Sequence, residues 1–372
     1  MAASSGQMLT GLASLVVAGV LTGAAPQRVL VAGPVLAGPR VVWAEHAGGE
    51  SILRAWPHQP PLWRSVTSSF SGDLAGSAAV IAFARSTEAC PSQPGVACPV
   101  ESETLAGPPR GSLQRLGAAR RCSLGSGGQH LDVEGRRVAS FDLDCGDGTA
   151  RLSVWEPGSG APRIVAREPA GGKSCCDLAL AGRYVAWRSG AGVAVYDLTA
   201  GRRLYRVAAP GEAIAAFDVQ ADGKLALALV SGGRTAWLAW TAPGSPRLHR
   251  LGLPVTLPAR GPAVRLAGDR IVFERPSSGA TVQLAASDLR GRMRTLARFA
   301  GRVEQVGGFD ADSTRVAWAS RRITSTRVDC PPPGQGRPCV LRTAGVATVW
   351  LAPAAGGRPR SLARWALADA VG

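Results

Sequence analysis

Three observations predict an all-β chain folded as a seven-bladed β-propeller of four-stranded antiparallel blades, with six or eight blades as the alternatives. A phrase recurs at intervals of about 40 to 57 residues, a second hairpin follows each copy, and no long segment shows helical periodicity. The phrase is a short apolar strand, a Gly or Asp turn, a basic residue, and a second apolar strand ending in an aromatic. It runs from Leu36 to Trp43, Leu180 to Trp187, Leu266 to Phe273 and Phe309 to Trp318. Weaker copies run from Val133 to Ser140 and Val219 to Leu227, and the copy near Ala78–Phe83 keeps only its second strand.

Following hairpins include Val193–Arg206, Leu284–Leu296, Leu152–Val165 and Val349–Leu362. Two hairpins per repeat give one blade, with approximate spans 29–66, 69–117, 129–167, 177–208, 213–251, 262–299 and 303–363. Glycine (47) and proline (27) punctuate the short apolar runs, as tight turns require. The recurring aromatics Trp43, Phe83, Trp187, Phe273 and Trp318 are expected to fill the space between blades.

Residues 1–25 have the pattern of a signal peptide, an uncharged apolar stretch ending in small residues before Pro26, although Met1–Gln7 carry no basic residue. The stretch is too short for a comfortable membrane span. Residues 26–372 are then one propeller domain, secreted or held in the cell envelope.

Eight cysteines fit an oxidising compartment. Cys90 and Cys98 bracket one Pro/Gly loop and Cys330 and Cys339 another, which predicts two local disulfides. In a propeller, the loops entering a blade and those joining its second and third strands share one face, the top. Cys122, Cys145, Cys175 and Cys176 all fall on such loops, so Cys122 and Cys145 are each expected to join one of the vicinal pair. Three pairings remain open.

The chain resembles TolB-type and WD-repeat-like propellers at Asp222-Gly223-Lys224, a turn before an apolar strand. The phrase from Tyr196 to Tyr205 is similar to hairpin turns of quinoprotein-type propellers, some of which hold a vicinal disulfide such as Cys175–Cys176 would form. Both resemblances cover hairpins, support the fold, and imply a binding scaffold only at the level of analogy.

Net charge is +16, almost wholly from arginine. One reading is coding bias; the other is an anionic partner. Topology places Arg40, Arg137, Arg183, Arg202, Arg203, Arg270, Arg292 and Arg315 on turns of the bottom face, a candidate basic binding surface, with strand-end capping as the competing account. The four histidines, His46, His58, His130 and His249, fall in separate repeats outside any hydrolase or phosphate-loop motif. The acid-rich segment from Asp142 to Gly148 matches a hairpin tip better than a calcium loop. No catalytic residue, metal ligand or cofactor is therefore expected.

These features predict an exported, monomeric, non-enzymatic scaffold for a protein or an anionic envelope polymer. Nucleic acid is disfavoured by the low aromatic content of 5%. The alternative is a propeller enzyme (hydrolase, lyase or quinoprotein-like oxidoreductase) with its site at the axial funnel. An axial cluster of acids and histidine favours the enzyme; a bare arginine-lined funnel favours binding.

Overall fold

The computed structural model describes residues 28–371 except 58–59, 89–99, 123–129, 145–148, 157–160, 170–176, 233–234, 258–261, 278–280, 301–303 and 331–339. The described residues form 28 strands. The first four are β1 (Arg28–Ala37), β2 (Arg40–Ala47), β3 (Glu50–Trp56) and β4 (Trp63–Ser65). Next come β5 (Ser69–Gly76), β6 (Ile81–Glu88), β7 (Val100–Gly107) and β8 (Gln114–Cys122), then β9 (His130–Glu134), β10 (Arg137–Asp144), β11 (Thr149–Trp155) and β12 (Arg163–Pro169). They are followed by β13 (Leu178–Ala181), β14 (Tyr184–Ser189), β15 (Gly192–Asp197) and β16 (Arg202–Val207), then β17 (Ala213–Val219), β18 (Leu225–Val230), β19 (Ala236–Thr241) and β20 (Leu248–Val255). The chain continues through β21 (Val264–Ala267), β22 (Arg270–Pro276), β23 (Thr281–Asp288) and β24 (Met293–Ala300), and ends in β25 (Glu304–Ala311), β26 (Arg315–Asp329), β27 (Val340–Pro353) and β28 (Arg360–Val371).

Five antiparallel sheets of four sequential strands and one eight-stranded sheet result. The eight-stranded sheet runs β25 to β28 and then β1 to β4, and a single parallel bridge, Arg28 to Leu367, joins its halves. The first strands β1, β5, β9, β13, β17, β21 and β25 each pack against the next in the chain, and β25 packs against β1. These strands surround an axis, as a propeller requires.

Burial follows from that stacking. A second strand has a neighbouring sheet on each face, so its sequence is continuously apolar rather than alternating. β18 (LALALV) and β14 (YVAWRS) are buried along almost their whole length. Outer strands such as β16, with Arg202, Arg203 and Arg206, face solvent. Each hydrophobic cluster joins neighbouring four-strand groups, including one that packs Leu30, Val41 and Trp43 against Ala317, Val349 and Trp365. The recurring aromatics fill these interfaces: Trp43, Phe83, Trp187, Phe273 and Trp318 are all buried.

The repeat with only one legible strand does have a first strand, β5. Its register shifts between Phe70 and Leu74, and this irregularity breaks the phrase. On the bottom face, turns reach forward to the next group: Arg137 Nη1 donates to Gly182 O (3.0 Å) and Arg315 Nη2 to Gly38 O (2.6 Å). Gly38 is required where it stands. Its φ is +58°, and an added Cβ would lie 2.8 Å from Ala78 Cα.

Candidate functional site on the axis

The innermost strands run side by side without pairing into one sheet, so some of their backbone amides need acceptors from outside the ladder. Three aspartates near the turn ends of first strands supply them. Asp132 on β9 accepts from Leu180 N of β13 at 2.8 Å, Asp218 on β17 from Leu266 N of β21 at 2.6 Å, and Asp310 on β25 from Leu36 N of β1 at 2.8 Å. Each bond uses Oδ2 and points to the next first strand around the axis.

Arg265 on β21 is set between two of these carboxylates. Its Nη1 lies 3.4 Å from Asp218 Oδ1 and its Nε 3.3 Å from Asp310 Oδ1. The three side chains keep 22%, 10% and 17% exposure respectively, so they face the axial space rather than a sealed core. Further along the axis, His130 Nδ1 lies 3.2 Å from Asp73 Oδ2, linking β9 to β5. Arg188, itself buried, holds Asp177 with bonds of 2.9 and 2.6 Å and donates to the carbonyl of Ala215 at 3.2 Å.

Burial dominates the electrostatics of this cluster. It pushes Asp132 up to about 7, with the nearby charge of Asp218 adding to the rise and Arg265 opposing it. Asp218 and Asp310 also lie above the ordinary carboxylate range, through burial first, again against Arg265. For Arg265, burial works against the charged form, but Asp218, Asp310, Asp132 and Asp73 outweigh it, so the guanidinium is held firmly protonated. His130 behaves likewise. Burial lowers its pKa, yet the hydrogen bond and charge of Asp73, with Asp177 behind, raise it on balance. The axis thus carries a carboxyl group that titrates near neutrality beside a fixed cation, which suits proton transfer next to a developing negative charge.

The sequence-predicted residues lie elsewhere. Among the candidate basic residues, Arg40 is buried, and Arg137, Arg183, Arg292 and Arg315 pair with Glu156, Asp197, Asp288 and Asp312. Arg202 and Arg203 are exposed on β16, and Arg270 is partly buried at the start of β22. An open groove of about 450 Å³ on this face is lined by Glu134, Arg136, Arg137 and Glu156, a mixed rather than a uniformly basic surface. Cys330 is disulfide-bonded and Cys122 ends β8. Cys90, Cys98, Cys145, Cys175, Cys176, Cys339 and His58 lie outside the described residues. Among the described residues, no group of three or more His, Cys, Asp or Glu side chains is placed to hold a metal ion, and no helix is long and apolar enough to cross a membrane.

None of the axial residues except His130 was singled out by sequence reasoning, and His130 only as an isolated histidine. A signal was present nonetheless. An aspartate stands directly beside the first position of the phrase in three repeats, Asp132 before Val133, Asp218 before Val219 and Asp310 after Phe309, and an acid recurring within an apolar first strand marks a special environment.

No family model and no curated protein matches the chain. Similar solved structures include peptidases and the β-propeller domain of a protease. A prolyl endopeptidase aligns at 13% identity with a TM-score of 0.53, covering 93% of this chain and 50% of its own; the chain therefore spans half the length of that enzyme. The β-propeller domain of the Trilobed protease from Pyrococcus furiosus, described as having an open velcro topology, aligns at 8% identity with a TM-score of 0.50, covering 80% of this chain and 98% of its own. Porphyromonas gingivalis dipeptidyl peptidase 4 aligns at 12% identity and a TM-score of 0.46, over 82% of this chain and 48% of its own. At these identities the likeness establishes the propeller fold; a TolB-type or WD-repeat identity gains no support from it. The expected non-enzymatic scaffold is corrected on two counts. The neighbouring structures include peptidases, and the axis holds Arg265 between Asp218 and Asp310 and His130 beside Asp73 instead of a bare arginine funnel.

Proposed function

We propose that the chain works in peptide hydrolysis, with its axial channel as the polar surface that meets the substrate. The observation that carries this reading is Asp132, which faces β13 from β9 and which burial pushes up to about 7 within the field of Arg265. A carboxyl group so poised takes a proton from water and returns it to a leaving amine, steps worth about 10²- to 10⁴-fold in rate. Arg265 has donors beyond those spent on Asp218 and Asp310, and a guanidinium fixed between two carboxylates is pre-oriented toward an oxyanion or a substrate carboxylate. The prolyl endopeptidase study ties catalysis and specificity to inter-domain dynamics. By analogy, this chain corresponds to the propeller part of such an enzyme. The architecture supports counting the halves of the eight-stranded sheet as separate blades, because one bridge alone connects them; that count gives seven blades.

The test incubates the purified chain with a peptide library and follows cleavage by mass spectrometry. Cleavage by the native chain, lowered at least about 100-fold by Asp132→Asn, is the expected result. An inert native chain, or cleavage indifferent to Asp132→Asn, overturns the proposal.

A further inference from the structure

The first strands β1, β17 and β25 share an irregularity. Each shifts its register by one residue, between Leu30 and Ala32, Ile214 and Ala216, and Val306 and Gly308. A bulge leaves its extra residue outside the ladder, so backbone groups there take partners from elsewhere. At two of the three, an arginine on the second strand of the preceding group is that partner. Arg188 on β14 donates from Nη1 to Ile214 O and from Nη2 to Ala215 O, the latter at 3.2 Å. Arg321 on β26 donates from Nη2 to Leu30 O. The Arg188 guanidinium also lies 5.7 Å from the centre of the Phe217 ring.

At the third bulge the preceding second strand brings an acid. Glu274 follows Phe273 as Arg188 follows Trp187, and the two aromatics hold the same register, Phe273 opposite Val264 and Trp187 opposite Leu178. Leu284, opposite Glu274 on β23, packs with Phe309 and Trp318, so Glu274 faces the strands β25 to β28. On β25 and β17 alike, the bulge begins four residues before the aspartate that bonds the next first strand. Val306, Gly307 and Phe309 therefore correspond to Ile214, Ala215 and Phe217. Glu274 is 5% exposed, and its Oε1 has no hydrogen-bond partner; nor has Trp318 Nε1 in the same interface. Burial alone pushes the Glu274 carboxyl up to about 7, with no cation among the described residues to hold it down.

A carboxyl group thus stands where its counterpart is a guanidinium, and the shorter side chain stops before the place that an arginine head fills. We propose that this place is a subsite for a guanidinium supplied from outside, the side chain of an arginine in the substrate peptide. Such a group pairs with Glu274, donates to the bulge of β25 as Arg188 does to that of β17, and lies against Phe309. Val306 and Gly307 on this innermost strand are partly exposed, which gives the guest a way in from the axis. Val306 lies four residues, about 13 Å, from Asp310, the partner of Arg265, so the rest of the peptide stays within reach of that cluster. The inference names a substrate class for the peptide reading above and rests on it.

The test titrates acetyl-arginine amide into the full chain by calorimetry and locates it by hydrogen exchange. Its citrulline analogue keeps the shape without the charge, and methylguanidinium keeps the head group without the peptide. Saturable binding of the arginine compound is expected, with amide exchange from Glu304 to Phe309 slowed. Binding weakens at least about tenfold for citrulline and for Glu274→Gln. The citrulline comparison uses the native chain and holds whether or not the variant folds. Equal binding of arginine and citrulline, undiminished binding by folded Glu274→Gln, unchanged exchange along β25, or no binding at millimolar ligand overturns the inference. So does binding of methylguanidinium without binding of the arginine compound, which assigns the place to a small free cation. Arginine binding without peptide cleavage by the native chain sinks the hydrolytic reading alone, and cleavage indifferent to arginine in the peptide sinks the subsite alone.

Discussion

Asp132→Asn has an effect on stability whose sign depends on pH. The native carboxyl has a folded pKa of about 7 against an ordinary value of 3.8. A group raised on folding contributes its full stability below the unfolded pKa and loses it as pH rises through the folded value. The window is therefore pH 4 to 7, and at about 1.4 kcal/mol per unit the charged form at pH 8 carries a penalty of about 4 kcal/mol. Asparagine removes that penalty. It also removes an acceptor, since Asp132 receives Leu180 N on Oδ2 and Val133 N on Oδ1, and asparagine retains one oxygen for two donors. An orphaned buried donor costs about 1–3 kcal/mol. The variant is thus expected to be less stable than the native chain by about 1–3 kcal/mol at pH 4 and more stable by a similar amount at pH 8. Guanidinium titrations at unit steps across this range, read by the fluorescence of the ten tryptophans, measure the difference directly. A difference of constant sign and size across pH 4 to 8 refutes the reasoning, because it means Asp132 is not a group that burial keeps from ionising.

Arg265→Met leaves Asp218 and Asp310 without their shared cation; a loss of about 3–5 kcal/mol is expected at pH 8, shrinking as pH falls and both carboxyls protonate, measured by the same titrations. His130→Gln is expected to destabilise at pH 5, below the ordinary value of 6.5, and to lose that effect as pH rises through the raised folded value. Its size stays under about 1 kcal/mol because 37% of the side chain is exposed and screened. Trp318→Ala empties an interface in which the ring is 1% exposed and stacks on Trp350 at 6.3 Å, so thermal melts are expected to show a loss of about 3–5 kcal/mol.

The repeats were legible because each sheet must offer two apolar faces to its neighbours, and that demand writes the same short strands and the same aromatic into the chain again and again. The strand limits reflect this: the expected span 213–251 corresponds to strands from Ala213 to Val255, and 177–208 to strands from Leu178 to Val207. The last span fell short at 363, where β28 continues to Val371, because the extended ribbon keeps no interblade pattern. The axial cluster was hidden for a different reason. β5, β9, β17, β21 and β25 each contribute one or two of the axial residues, separated from the next by tens of residues, so Asp132, Asp218, Arg265 and Asp310 form no local motif. Proximity among them exists only once the strands surround a common axis. The arginines differ in the opposite way: they are conspicuous as a class in the sequence, whereas only the structure shows that Arg137 and Arg315 each bond an acid and a neighbouring turn.

The forward reach of Asp310 to Leu36 spans 274 residues. Joining two points so far apart on a flexible chain costs about 5 kcal/mol of closure entropy, and no single hydrogen bond offsets it. The bond forms with little further loss only after the intervening strands have assembled and brought the two ends into register. A linear stack of repeats can nucleate anywhere and fray from either end, but a closed one has a final step in which every unit is already committed. The carboxylate that faces the axis beside Arg265 is thus also a reporter of completed assembly, and the polar site comes into being only when the circle does.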